Sequence, residues 1–486
     1  MIDISKLIKA ADLSIRIFTK RLLKDVAYYK QLPLKGCDEL RMALHLRMSV
    51  LLSLLEMSTI EKAMLGTKHA YVKRYHYKNL VANASECYKM LYHYEDCRKK
   101  SIWTRVRRLV TDLNSEELRT QYDQITERLN EFGYERVNKD LRDVTMHYAE
   151  YLLTVYQMTV DLNNENDALM YFAEFWDILK QMLSFSTSLV AIYQNQDLKI
   201  EEPCPVTTSL IGNQVLLAYM LKLDAKHTMV DSLQLVIPKG SEELDQMAHK
   251  EKKLEQLKDN LEQSFQLYAL DSFTTIINLY EIQVLLRFMM LDLASNIEAF
   301  GNSTTTMEAA LNARRFVIPQ VSMLALLYGY SDKEREKSLW QAIEGLVPET
   351  MKEQKESMVH TMTDLTKSIP KKKRHAHVHV YDDKGKNLVP KFMDTLEELN
   401  FIEEFRSVKR ISEFYSQFVR FLVELTTYLA KKEHEQAEEN TRKFHEKLDW
   451  IMNIFEKSNA SEETMRKLKE QIASIKELSS RNWDLT

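Results

Sequence analysis

Turn-forming residues are nearly missing from this chain, which has 9 glycines and 8 prolines among 486 residues, whereas average usage would make the pair about 12% of the total. A sheet-rich fold needs a Gly-, Asn- or Pro-bearing turn every ~8–12 residues, so long helices joined by few loops are expected. Cysteine is also scarce. Cys37, Cys87, Cys97 and Cys204 show no close pairing and no accompanying histidine spacing, which argues against a disulfide framework or a zinc site and for a reducing compartment. A net charge of −4 supplies no global field for a polyanion, so any nucleic-acid contact must come from a local basic patch. The opening MIDISKLIKAADLSIRIFTKRLLKD carries charges every few positions and lacks the apolar h-region of a secretory signal. No stretch reads as ~18 uncharged apolar residues, and even SLIGNQVLLAYMLKL is interrupted by polar side chains. A soluble, cytoplasmic protein with no membrane partner is the expectation. No glycine-rich phosphate loop, Gly-x-Ser-x-Gly elbow, His-Glu-x-x-His or Cys-x-x-Cys pair occurs, which leaves nucleoside-triphosphate, α/β-hydrolase and zincin chemistry without a foothold.

What is present is 45% hydrophobic and 28% charged residues, an ordinary globular balance. The length exceeds the ~250–300 residues at which a single core stops growing. Self-comparison shows a repeat. MLYHYEDCRKKSIWTRVRRLV aligns with LLYGYSDKEREKSLWQAIEGLV, matching Tyr92 to Tyr328, Tyr94 to Tyr330 and Trp103 to Trp340. LRM at 46–48 has a counterpart in LRF at 286–288, while Met158 and Asn163 fall opposite Met393 and Asn400. These registers point to an all-α protein of two related helical-bundle halves. The expected division is a first bundle over 1–200, a linker with one helix over 201–240, and a second bundle with a charged helical tail over 241–486.

Pro203, Pro205, Pro238 and Gly240 punctuate the linker, and Ser241 is a plausible N-cap for the next helix. From there Leu244, Met247, Leu254, Leu257, Leu261, Phe265 and Tyr268 form one helix stripe. Met465, Leu468, Ile472, Ile475 and Leu478 form another in the tail, able to pack on its own bundle or on a protein partner.

NKDLRDVTMHYAEYLLTVYQM places Arg142 and His147 five positions apart, and KKKRHAHVHVYDD places Arg374 and His379 at the same spacing, 232 positions later. On a helix the two side chains of such a pair stand roughly 140° apart, able to border one cleft. A guanidinium holds a phosphate through fixed charged donors, and an imidazole exchanges a proton near neutral pH. Together they suit cleavage of a phosphodiester by its neighbouring 2′-hydroxyl, with no metal or other cofactor. Singly, each pair reads as a surface ion-pair partner or a satisfied histidine, and recurrence raises the functional reading.

Arg142 followed by polar Asp143 and then His147, and Arg374 followed by polar His375 and then His379, resemble the motif of the HEPN superfamily. The resemblance implies bundles of four or five helices and a metal-independent endoribonuclease of toxin-antitoxin or antiviral defence systems. It further implies that two Arg-His sets face each other across one composite RNA-cleaving site. Many members of that superfamily have lost catalysis, so a silent helical scaffold that binds a protein partner or antitoxin through the charged tail is the alternative. Asp382, Asp383, Gly385 and Pro390 interrupt helical pattern after His379, so a short irregular or strand-like segment is expected near 375–390. His375, His377 and His379 alternate as strand-borne metal ligands would, yet no Cys or carboxylate completes the set, and no metal is assigned. Two basic clusters, Lys371 to Lys373 and Arg105, Arg107 and Arg108, could add affinity for RNA, although a solvated face explains each more simply. Trp103 and Trp340 could stack a base, but their matched positions favour core packing.

Overall fold

A computed structural model describes residues 3–33, 35–92, 101–136, 165–197, 237 and 239–247, the single positions 249, 253 and 256, and residues 270–370, 388–457 and 462–480. Every regular element among them is helical, with no strand. The all-α class read from the sparse Gly and Pro is therefore the observed one. Contacts divide the chain into unit one, Met1–Lys252 with Glu281–Gln417, and unit two, Lys253–Tyr280 with Phe418–Thr486.

Unit one is built around α2 (Asp38–Gly66), which packs against α1 (Ile4–Gln31), α3 (Ala70–Leu91) and α6 (Glu165–Asp197), with α4 (Ile102–Asp112) and α5 (Glu116–Arg136) alongside. α1 begins at Asp3, whose side chain accepts from the Lys6 amide, satisfying one of the orphan N–H groups of a helix start. It buries Ala11, Ile15, Phe18, Leu22 and Val26, the three- and four-residue spacing of one apolar stripe. α2 is different, with buried residues on every side, as expected of a central helix. Among the described residues it is long and apolar enough to cross a membrane, with a window of mean hydropathy 1.3 that is 94% buried. Glu56, Glu61 and Lys62 interrupt its apolar run, and all three are buried.

The later part of unit one includes residues 281–301 of α7 (Leu270–Gly301), then α8 (Thr306–Arg314), α9 (Val317–Leu327), short α10 (Asp332–Arg335) and α11 (Leu339–Glu344). A 3-10 turn at Glu349–Met351, α12 (Lys352–Ser368), α13 (Val389–Glu397) and residues 401–417 of α14 (Phe401–Lys457) complete it. α8 and α13 pack on α2 as well, so unit one takes helices from both sides of the 201–240 linker. Phe300, Phe316, Phe401 and Phe405 form an aromatic knot with centroid separations of 5.0 to 5.9 Å. Two glycines have structural reasons. Gly329 follows the last turn of α9 at φ +79°, the left-handed region that glycine enters without penalty. Gly133 on α5 leaves room for Tyr88, whose hydroxyl would lie 2.0 Å from an added Cβ.

Ser241 does not start its helix. Ile237, Lys239 and Gly240 are already helical and the helix continues to Met247. Gly240 permits this, because its missing Cβ is where Leu291 packs. Within unit two, α14 from Phe418 onward and α15 (Glu462–Ser480) are joined by Lys469–Glu456 at 3.3 Å and Lys476–Asp449 at 2.6 Å, and Leu448 and Ile472 are buried. The tail stripe therefore folds back on its own neighbouring helix. Of that stripe, Met465 and Leu468 are half-buried.

Candidate functional site

Arg142, Asp143 and His147 lie outside the described residues, as do Lys371, Lys372, Lys373, Arg374, His375 and His379. The irregular segment expected near 375–390 lies outside them up to residue 387. Of the sequence-predicted RNA contacts, Arg107 and Arg108 are exposed on α4 and Arg105 is half-buried. Arg108 lies 3.7 Å from Asp112, and the Arg105 Nε donates to the Ser101 carbonyl at 3.4 Å. Trp103 and Trp340 are buried, the core packing that their matched positions favoured. Trp103 lies parallel to Tyr122 at 4.6 Å, and its Nε1 donates to Thr126 Oγ1 at 2.8 Å.

The repeated segments share a local geometry. Tyr92 follows α3 as its C-cap, and Tyr328 follows α9 in the same way. Ser101 caps α4 by accepting from the Thr104 amide, and Ser338 caps α11 by accepting from the Gln341 amide. Each tryptophan sits two residues past its serine. The Tyr92 hydroxyl donates to Asn130 Oδ1 on α5 at 2.7 Å, while the Tyr328 hydroxyl shares a 3.0 Å hydrogen bond with Thr363 on α12. In both halves, then, a tyrosine at a helix end ties back to the second main helix downstream.

A layer of buried charge, which sequence reasoning missed, runs through the interior of unit one. Lys78 Nζ lies 3.0 Å from Asp292 Oδ2, both side chains fully shielded, and Tyr71 donates to Asp292 Oδ1 at 2.8 Å. Burial, reinforced by the Asp292 charge, drives the Tyr71 hydroxyl well above its usual pKa and acts the same way on Tyr75. Arg314 Nη1 lies 2.8 Å from Glu56 Oε1 as an ion pair, and Asn83 donates to the other Glu56 oxygen. Asn296 donates to the Tyr75 hydroxyl at 2.6 Å. His76 is buried beside them, neither ring nitrogen has a hydrogen-bond partner among the described residues, and burial with the Arg315 charge lowers its pKa to about 3. His45 is lowered to about 3 by burial and then by Arg105. These groups position helices, since a charge with no path to solvent cannot meet a substrate. The available signal was a charged residue inside a helix apolar on all sides, but a partner more than 200 positions away leaves no local trace.

At the edge of this layer the charge reaches solvent. Lys62 Nζ lies 2.8 Å from Asp12 Oδ1, Thr304 Oγ1 and Glu308 Oε2, and Asp12 also receives the Arg16 Nε at 3.0 Å. Burial works to raise the Asp12 pKa, but hydrogen bonds from Lys62, Thr304 and Arg16 outweigh it and hold the carboxyl well below the usual range. Beside them opens a groove of about 350 Å³ lined by Ile8, Lys9, Asp12, Leu13, Arg16, Lys62 and Thr304. It offers fixed positive charge and aliphatic surface to a ligand. Among the described residues no group of three His, Cys, Asp or Glu side chains could hold a metal. The chain matches no known protein-family model, no curated protein and no solved structure.

Proposed function

We propose that the chain is a metal-independent endoribonuclease of the HEPN type, working in the cytoplasm within a toxin-antitoxin or antiviral defence system. The observation that carries this reading is the recurrence of one Arg-polar-x3-His arrangement, at Arg142 to His147 and Arg374 to His379, with both members 232 positions apart. The matched geometry of the flanking repeat supports it. Tyr92 and Tyr328 cap α3 and α9, and Ser101 and Ser338 cap the helices that carry Trp103 and Trp340.

In this reading His147 takes the proton of a ribose 2′-hydroxyl, the 2′-oxygen bonds to phosphorus and the phosphorus to 5′-oxygen bond breaks. The 5′-oxygen takes up a proton and leaves, so a 2′,3′-cyclic phosphate remains. Arg142 neutralises the charge gathering on the non-bridging oxygens. Asp143 orients the pair, and Arg374, His375 and His379 form the partner set or its relic. Purified protein incubated with mixed RNA should cleave it in EDTA, and His147→Ala should slow cleavage by about 100-fold or more. RNA left equally intact by both proteins, with or without a co-encoded partner, sinks the reading.

A second reading, a helical interaction protein, draws on unit two. There Trp450 is 64% exposed on a highly charged helix, and aromatic side chains are enriched where proteins meet partners. An antitoxin could bind at this tail under either reading.

A further inference from the structure

We draw no further inference here: the strongest candidate, the face of α14 in unit two where Trp450 is 64% and Ile454 44% exposed, is apolar, and nothing in the structure shows what covers it.

Discussion

Lys78 and Asp292 stand 3.0 Å apart with no exposure of either side chain, and a charge in that position is tolerated only while its partner is present. Lys78→Met should lower unfolding stability by about 3–5 kcal/mol, because Asp292 would keep its charge in an interior that cannot solvate it. Adding Asp292→Asn should recover most of the loss, since the amide still accepts from Tyr71. Denaturant midpoints of the two variants check this. Buried titratable groups also set the response to pH. His45 and His76 are pulled down to about 3 in the fold, against about 6.5 in an unfolded chain. The folded state therefore refuses a proton that the unfolded state accepts, and the contribution to stability is present above pH 6.5 and lost as pH falls toward 3. Glu61 works the other way: burial raises it to about 8, so its contribution is whole below pH 4.5 and lost as pH climbs to 8. Urea midpoints should consequently rise at pH 8 in Glu61→Gln and fall less steeply between pH 4.5 and 3 in His76→Leu.

The repeat is an element-scale feature, and its legibility varied along its length. Tyr92, Trp103, Tyr328 and Trp340 were readable because side chains that end or begin helices tolerate few substitutes: the Tyr92 and Tyr328 hydroxyls are tied to Asn130 and Thr363, and both indoles are buried. Ser101→Ala and Ser338→Ala should each cost about 1 kcal/mol, the usual worth of an N-cap, and Trp103→Ala about 3–5 kcal/mol through the cavity left beside Tyr122 and Phe185. Thermal unfolding of these variants checks the ranking. The helix boundary near Ser241 was not readable, because proline and glycine normally mark an end and only the close approach of Leu291 explains Gly240 inside a helix. The charges of α2 look like breaks in an apolar run until Glu56 is seen beside Arg314 and Lys62 between Asp12 and Glu308.

At the scale of the molecule, helices from before and after the 201–240 segment are bound together by charge within unit one. Lys78–Asp292, Arg314–Glu56 and Lys62–Glu308 all join residues before the 201–240 segment to residues after it. Fragments 1–220 and 221–486, expressed together with a tag on one, should therefore copurify, and each expressed alone should be poorly soluble because unmatched charges would face an unfilled core. Independent solubility and no copurification would show that each half closes its own core.

Composition and periodicity determined by themselves that the chain is helical, because a chain with so little Gly and Pro has no supply of turns for a sheet, and helix stripes and caps are local patterns of three, four and seven residues. The same locality made the duplicated Tyr, Ser and Trp positions and the two Arg-His pairs visible in one dimension. Only the tertiary structure decided that helices from both sides of the 201–240 segment share unit one, that Glu56 and Lys62 of α2 and Asp292 of α7 are paired, and that Asp12 and Asp25 of α1 lie in ion pairs with Lys62 and Arg47. Those facts depend on partners tens to hundreds of positions apart, and the free energy of a buried ion pair belongs to the space between helices, where no sequence window reaches.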